Sequence, residues 1–200
     1  MQWADLASHA WTYLALVAAS LAAGSVAGVA LGLVTSHIPA LRSAVLALGN
    51  VARVIPSLAL LTFMLPWLGV GFLPAFVALA LLATAPVLIT TDVAFRGIPP
   101  SVLDAAQGMG MTARQQLRRV EWPLAFPIVF SGVRTAATEV IGSAVLASFI
   151  GAGGLGEYIT TGLQANDAQQ LWTGVAAIGA FAVIAEILFA AIQARIGTAG

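Results

Sequence analysis

PPSVLDAAQGMGMTARQQLRRVEWP, residues 99–123, is a polar island in an otherwise oily chain. It holds Asp104, Arg114, Arg118, Arg119 and Glu121, and two glycines, Gly108 and Gly110, close enough together to interrupt a helix. Pro99 and Pro100 disfavour a helix running in from upstream. Ser101, followed three residues later by Asp104, reads as a helix start in which the hydroxyl caps orphan N–H groups. A short helix is expected to about Gln107, where Gly108 and Gly110 end it. Thr112 followed by Gln115 supplies a second start, for an amphipathic helix that Pro123 stops. Ala113, Leu117 and Val120 line one face of that helix, and arginine, glutamine and glutamate cover the rest.

The surrounding composition fixes the solvent. Of 200 residues 60% are apolar and 8% charged, and mean hydropathy is +0.98, far from the roughly quarter-charged make-up of soluble domains. The chain reads as an integral membrane protein. All eight basic residues are arginine, so no phosphate-binding-loop lysine exists. Without cysteine there are no disulfides or thiolate nucleophiles, and two histidines, His9 and His37, make a histidine-rich metal centre an unsuitable reading. MQWADLASHAW at the start lacks a basic leader region, and the apolar run after it is too long for a signal-peptide core. It is expected to be a retained membrane helix.

Crossing about 30 Å of hydrocarbon takes roughly 20 apolar residues. Residues 11–34, 44–67, 72–93, 124–150 and 171–194 qualify, joined by short links into a single transmembrane domain over residues 1–200. Pro56 and Pro86 are expected to kink the second and third spans. Ser20, Gly24, Gly28 and Gly32 recur every fourth residue, a small-residue face that lets another helix approach closely. Arginine sets the orientation, because basic residues stay cytoplasmic. Arg42 follows span one, Arg96, Arg114, Arg118 and Arg119 follow span three, and Arg195 follows span five, whereas the opposite loops hold no arginine. The N-terminus is therefore expected outside, the C-terminus and the polar island inside. Trp11, Trp67 and Trp172 at outer ends and Trp122 at an inner end suit an interfacial belt.

A helix, glycine turn and helix on the cytoplasmic surface can be a solvated connector, a basic helix on anionic lipid, or a docking element. A DNA-reading helix-turn-helix has a similar outline, but both ends here enter the bilayer within a few residues, so no nucleic-acid partner is expected. A docked protein fits best. The stretch resembles the cytoplasmic EAA loop, about residues 97–123, of ABC transporter permeases. Asp104, Ala105 and Ala106 stand for Glu-Ala-Ala, Gly110 for the fixed glycine, and Val120 to Pro123 for the Ile-x-Leu-Pro ending. IPSLALL (55–61), GVRTA (132–136) and SFIGAGGLG (148–156) are similar to the glycine betaine, carnitine and choline branch.

The resemblance implies an all-α type I importer permease in a bacterial cell membrane. Its partners would be a pair of ATPase subunits, a second permease subunit, identical or not, and an extracytoplasmic solute-binding protein. The chain itself would carry no cofactor and no catalytic residue, ATP and Mg being held by the ATPase. Coupling residues would be Ser101, Asp104, Ala105, Ala106, Gly108, Gly110, Arg114, Arg118, Val120 and Pro123. Three rival readings stand beside it: an amino-acid permease such as the methionine type, a channel or secondary carrier without an ATPase, and an intramembrane serine protease using Ser143 or Ser148.

Charges at depth mark the pathway. Arg53, Arg134, Glu139 and Glu186 lie within spans, where bare charge is costly and usually faces protein or a water-filled cavity. Pairing among themselves is expected, with Arg53 to Glu139 first, whereas snorkelling to the interface is the favoured account of Arg134. Pro56, Ser57, Thr62 and Thr138 complete the candidate pathway. With two tyrosines, and tryptophans at the interfaces, the chain offers no aromatic cage for a quaternary ammonium, so selectivity is expected mainly in the binding protein. The outer loop 151–170, with Gly153, Gly154, Glu157, Asp167 and no basic residue, is the candidate docking lip for that protein.

Overall fold

Close helix approach organises the molecule, a computed structural model that describes residues 3–197. The outermost residues of the expected amino-terminal helix, Met1 and Gln2, and of the C-terminal segment, 198–200, lie outside the described residues. Helix α1 (Trp3–His37) lays its small face on α4 (Phe72–Arg96). A methyl carbon added at Gly24 would come 2.5 Å from the Ala80 carbonyl oxygen, one at Gly28 2.7 Å from Val87 Cβ, and one at Gly32 2.5 Å from Thr91 Cβ. Ser20 Oγ donates to the Phe76 carbonyl at 3.3 Å. Lipid tails are as apolar as leucine, so this fit, rather than hydrophobic drive, holds the pair.

Helix α7 (Trp122–Ala144) packs on both α4, where Gly132 leaves room for Thr90, and α1, whose Tyr13 hydroxyl donates to the Ile141 carbonyl at 2.5 Å. Tyr13, Leu16, Leu61, Leu79, Val87 and Val140 are completely buried between these elements. Toward the arginine-rich side an aromatic ladder runs from Phe95 through Trp122, Phe126 and Phe130 to Phe189 on α9 (Ala168–Gly197), with ring centroids 5.9–6.3 Å apart. Trp122 is thus packed among rings, whereas Trp11, Trp67 and Trp172 project outward, 71%, 76% and 67% exposed.

Among the described residues four helical segments are long and apolar enough to span a membrane, five if a bent pair is one crossing. That pair is α2 (Pro39–Val54) and α3 (Ser57–Leu68), bent by 103°. The kink expected at Pro56 is therefore a full break. Ile55 is extended (φ −69°, ψ 123°), as a residue before proline prefers, and Pro56 has no N–H with which to resume the ladder. Arg42 lies on α2 itself, not in a link. Helix α4 continues unbroken through Pro86.

Pro123 likewise does not stop its helix. A π turn, Leu117–Glu121, widens the spiral so that the Trp122 N–H bonds to the Leu117 carbonyl five residues back, and α7 follows directly from α6 (Ala113–Gln116). The wider turn shifts the carbonyl register beside a residue that cannot donate. On the opposite side the expected loop 151–170 contains a short helix, α8 (Gly156–Gln164), reached through a 3₁₀ segment, Val145–Ile150, and three glycines with left-handed φ.

Candidate functional site

The polar island folds as helix α5 (Pro100–Gly108), a turn, and α6. Its first helix is capped at Pro99, with Pro100 in the first turn, and no side chain caps it, so Ser101 is an exposed helical residue and not a cap. Proline fits there because the first N–H groups have no intrahelical partner. The helix ends in a Schellman turn: Met111 N–H bonds to the Ala106 carbonyl at 3.2 Å and Gly110 N–H to that of Gln107 at 2.9 Å. Gly110 takes φ +75°, the left-handed conformation this turn needs, with open space around it, while Gly108 remains helical. The Thr112 capping box is formed in both directions, its backbone N–H meeting Gln115 Oε1 at 2.8 Å.

Exposure separates the island's residues. Asp104, Ala105, Met109, Arg114, Arg118 and Pro123 face out, Val120 is half-buried, and Ala106 is buried. Of the face expected from Ala113, Leu117 and Val120, Leu117 packs against the core at Ala94, Phe95, Ala125 and Val129 and Val120 is half-buried, whereas Ala113 is exposed. Gln116 and Glu121 are the buried residues of the segment. Glu121 Oε2 lies 3.4 Å from Nε2 of His37 at the end of α1.

Among the described residues arginine–carboxylate pairs join the spans at three places. Arg53 Nη2, on α2, lies 3.4 Å from Glu139 Oε1 on α7. For Arg134, expected to snorkel, the guanidinium pairs with Glu186 on α9, and Nη1 donates to Gln193 Oε1 at 2.7 Å. Arg42 pairs with Asp92, which the sequence reading missed although a lone acid in the run LITTDVAF meets the rule that marked Glu139. Thr138, Glu139, Arg134, Glu186 and Gln193 share one cleft of about 390 Å³. Ser57 and Thr62 lie apart from it on α3, where the Thr62 hydroxyl donates back to its own helix at the Leu58 carbonyl, 3.0 Å away. Pro56 is exposed at the bend.

The segment expected as a docking lip contributes to a second polar cavity of about 570 Å³, lined by Asp5, His9, Glu157, Tyr158 and Asp167 among others. His9 Nδ1 faces the Asp5 carbonyl at 2.6 Å and Nε2 the Glu157 carboxylate at 2.8 Å. With acceptors on both sides, both contacts are complete when the ring carries both protons and the carboxylate is ionised. Burial pushes the Tyr158 phenol up, and the Asp5 carboxylate adds to it. Asp167 is committed to α9: its Oδ1 accepts from the N–H groups of Gln169 and Gln170 at 3.0 and 3.1 Å. Gly153 and Gly154 adopt φ +76° and +85°, and Gly154 lies against Tyr13. Both histidines are engaged by glutamates and the Ser148 hydroxyl donates to the Val145 carbonyl at 2.9 Å; Ser36 Oγ lies 2.9 Å from Nδ1 of its chain neighbour His37, while no hydrogen bond joins Ser143 or Ser148 to a histidine among the described residues.

Residues 7–198 match the family described as binding-protein-dependent transport system inner membrane component. The glycine betaine/carnitine/choline transport system permease protein OpuCB of Bacillus subtilis (strain 168) is 37% identical over 188 residues, covering 94% of this chain and 86% of that one. The osmoprotectant import permease protein OsmW of Salmonella typhimurium is 36% identical over 193 residues, covering 94% and 90%. Among solved structures, a chain of the inward-facing MetNI methionine ABC transporter superposes with a TM-score of 0.85 at 25% identity, covering 98% of this chain and 99% of that one. With its apolar spans and helical architecture, the chain belongs to the family of inner membrane components of binding-protein-dependent transport systems, and is a multi-pass transport permease rather than a catalyst.

Proposed function

We propose that the chain is the membrane-spanning subunit of an ATP-driven importer for quaternary ammonium compatible solutes: glycine betaine, choline or carnitine. What supports the solute class is the 37% identity to a permease named for these three solutes, extending over 94% of this chain. The methionine alternative rests on the shared fold with MetNI at 25% identity. The exposed Asp104–Met109 segment and the Gly110 turn are the grip for a separate ATPase pair, which binds ATP and Mg, and Arg114 and Arg118 flank it. A second permease subunit completes the pathway, and a solute-binding protein docks on the lip of Gly153, Gly154, Glu157 and Asp167. The N-terminus lies outside and the C-terminus in the cytoplasm of a bacterial cell.

In this reading closure of the ATPases moves the paired loops, and α2, α3 and α7 switch the cavity between inward and outward access. The break at Pro56 provides the hinge, and the ion pairs Arg53–Glu139 and Arg134–Glu186 line the route with Ser57, Thr62 and Thr138. The test is reconstitution of the chain with its ATPase and binding protein in proteoliposomes, with the binding protein's ligands measured by calorimetry. Uptake of a quaternary amine that requires both ATP and binding protein is expected. A binding protein selecting methionine over every quaternary amine would sink the assignment, and uptake independent of ATP would return the chain to a carrier or channel.

A further inference from the structure

Charge at depth in α7 and α9 carries an inference that rests on the proposed importer and names how it distinguishes solutes. The side chains of Arg134 and Glu186 are 33% and 48% exposed, on helices whose neighbouring residues Val183, Ile184, Ile187 and Leu188 are apolar and outward-facing. A half-exposed carboxylate at this depth faces water or protein rather than hydrocarbon. Glu186 and Gln193 are seven residues apart, on one helix face, and both engage Arg134. Around the cleft, Arg53 and Arg134 are matched by Glu139 and Glu186, so the site is electrically balanced. It opens beside an apolar groove of about 480 Å³ that shares Thr138 and Glu186 with it and is also lined by Ile141, Ile178 and Phe189.

We propose that this cleft is a transit site for zwitterionic solutes, in which Glu186 occupies Arg134 as a stand-in for the solute's carboxylate. A guanidinium fork recognises any carboxylate in the same geometry. A solute carboxylate therefore displaces Glu186 from Arg134, and the freed Glu186, with Glu139, faces the solute's cationic end while the methyl groups lie against the apolar groove. Because entry breaks an existing ion pair, binding is weak, as a site that must also release its solute requires. Choline has no carboxylate and cannot make the exchange. The site thus discriminates by charge pattern and without an aromatic cage.

The experiment compares ATP-dependent uptake of radiolabelled glycine betaine and choline in proteoliposomes holding the complete transporter, using one saturating binding protein that accepts both. Arg134→Gln is expected to lower the betaine-to-choline uptake ratio by about tenfold, the scale of a lost charge-assisted hydrogen bond. Glu186→Gln, which removes the competing carboxylate and keeps the guanidinium, is expected to raise the ratio. A ratio unchanged in both variants overturns the proposal. Should Arg134→Gln fail to assemble, Glu186→Gln decides alone: an unchanged or lowered ratio refutes the exchange. A wild-type transporter that moves neither solute overturns the functional assignment and this inference with it, an outcome distinct from wild-type uptake with unaltered variant ratios.

Discussion

Arg42 on α2 places its Nε 3.1 Å from Oδ2 of Asp92 on α4, a carboxylate whose side chain is fully buried and whose other oxygen has no hydrogen-bond partner. The pair ties the broken second span to the central helix at one end of α2, while Arg53 and Glu139 tie the other end to α7. Removing Arg42 strands a buried charge, whereas removing both charged groups does not. Arg42→Ala is expected to lower stability by about 3 kcal/mol, and Arg42→Leu combined with Asp92→Leu to recover most of it. Thermal unfolding of the detergent-purified protein measures both. Equal losses in the single and double variants would mean that the pair does not act as a unit.

The second pair is weaker. Arg53 and Glu139 are 43% and 30% exposed at a separation of 3.4 Å, so a double-mutant cycle with alanine is expected to give a coupling of about 0.5 kcal/mol in stability. A substantially larger coupling in transport than in stability would place the pair in the moving pathway. Additive effects in both assays would remove it from the mechanism.

Gly110 and Gly108 differ in conformation rather than in room, since neither has another atom within 4 Å of where a Cβ would sit. Only Gly110 has positive φ, at +75°. Gly110→Ala should therefore cost about 1 kcal/mol locally and loosen the turn, while Gly108→Ala, in the last turn of α5, should be neutral or slightly stabilising. ATPase stimulation by loaded binding protein reports the consequence for coupling. Gly110→Leu is expected to uncouple through this strain and through its bulk against the partner. Full coupling in Gly110→Leu would exclude the turn from the ATPase contact.

What the sequence disclosed depended on whether the signal was local. The four-residue recurrence from Ser20 to Gly32 specifies a face, and that face packs on α4. The Thr112–Gln115 box is a contact between residues three apart and forms as expected. Ser101 suggested the same device, but two prolines before it already satisfy the helix start and no cap is made. Pro123 normally ends a helix, yet the widened turn at Leu117–Glu121 accommodates it, and Gln116 and Glu121 are buried there, Glu121 beside His37 from α1, a long-range contact that no local pattern encodes. The partners of Arg134, Glu186 and Gln193, lie 52 and 59 residues away, so charge at depth signalled that partners exist without identifying them. Helix α8 was hidden by its flanking glycines, whose role is to turn the chain into it.

Orientation makes the last prediction, and burial chooses its probes. Gln116 is buried, so a cysteine there would report packing rather than sidedness. Met109, 70% exposed beside the Gly110 turn, Val70, 78% exposed between α3 and α4, and Ala165, exposed after α8, are accessible from one side each. The chain has no cysteine, so each single substitution is the only target for a thiol reagent. Arginine is concentrated around Met109 and absent near the other two, so Met109 is expected on the cytoplasmic side. An impermeant maleimide applied to intact cells is expected to label Val70→Cys and Ala165→Cys, and to reach Met109→Cys only after permeabilisation. In inside-out vesicles Met109→Cys should label readily without the ATPase and slowly once the ATPase is bound, because the partner covers the turn. Labelling of Met109→Cys from outside intact cells would reverse the topology and with it the assignment of the grip. Cytoplasmic labelling that the ATPase leaves unaltered would keep the topology and move the contact elsewhere on the cytoplasmic surface.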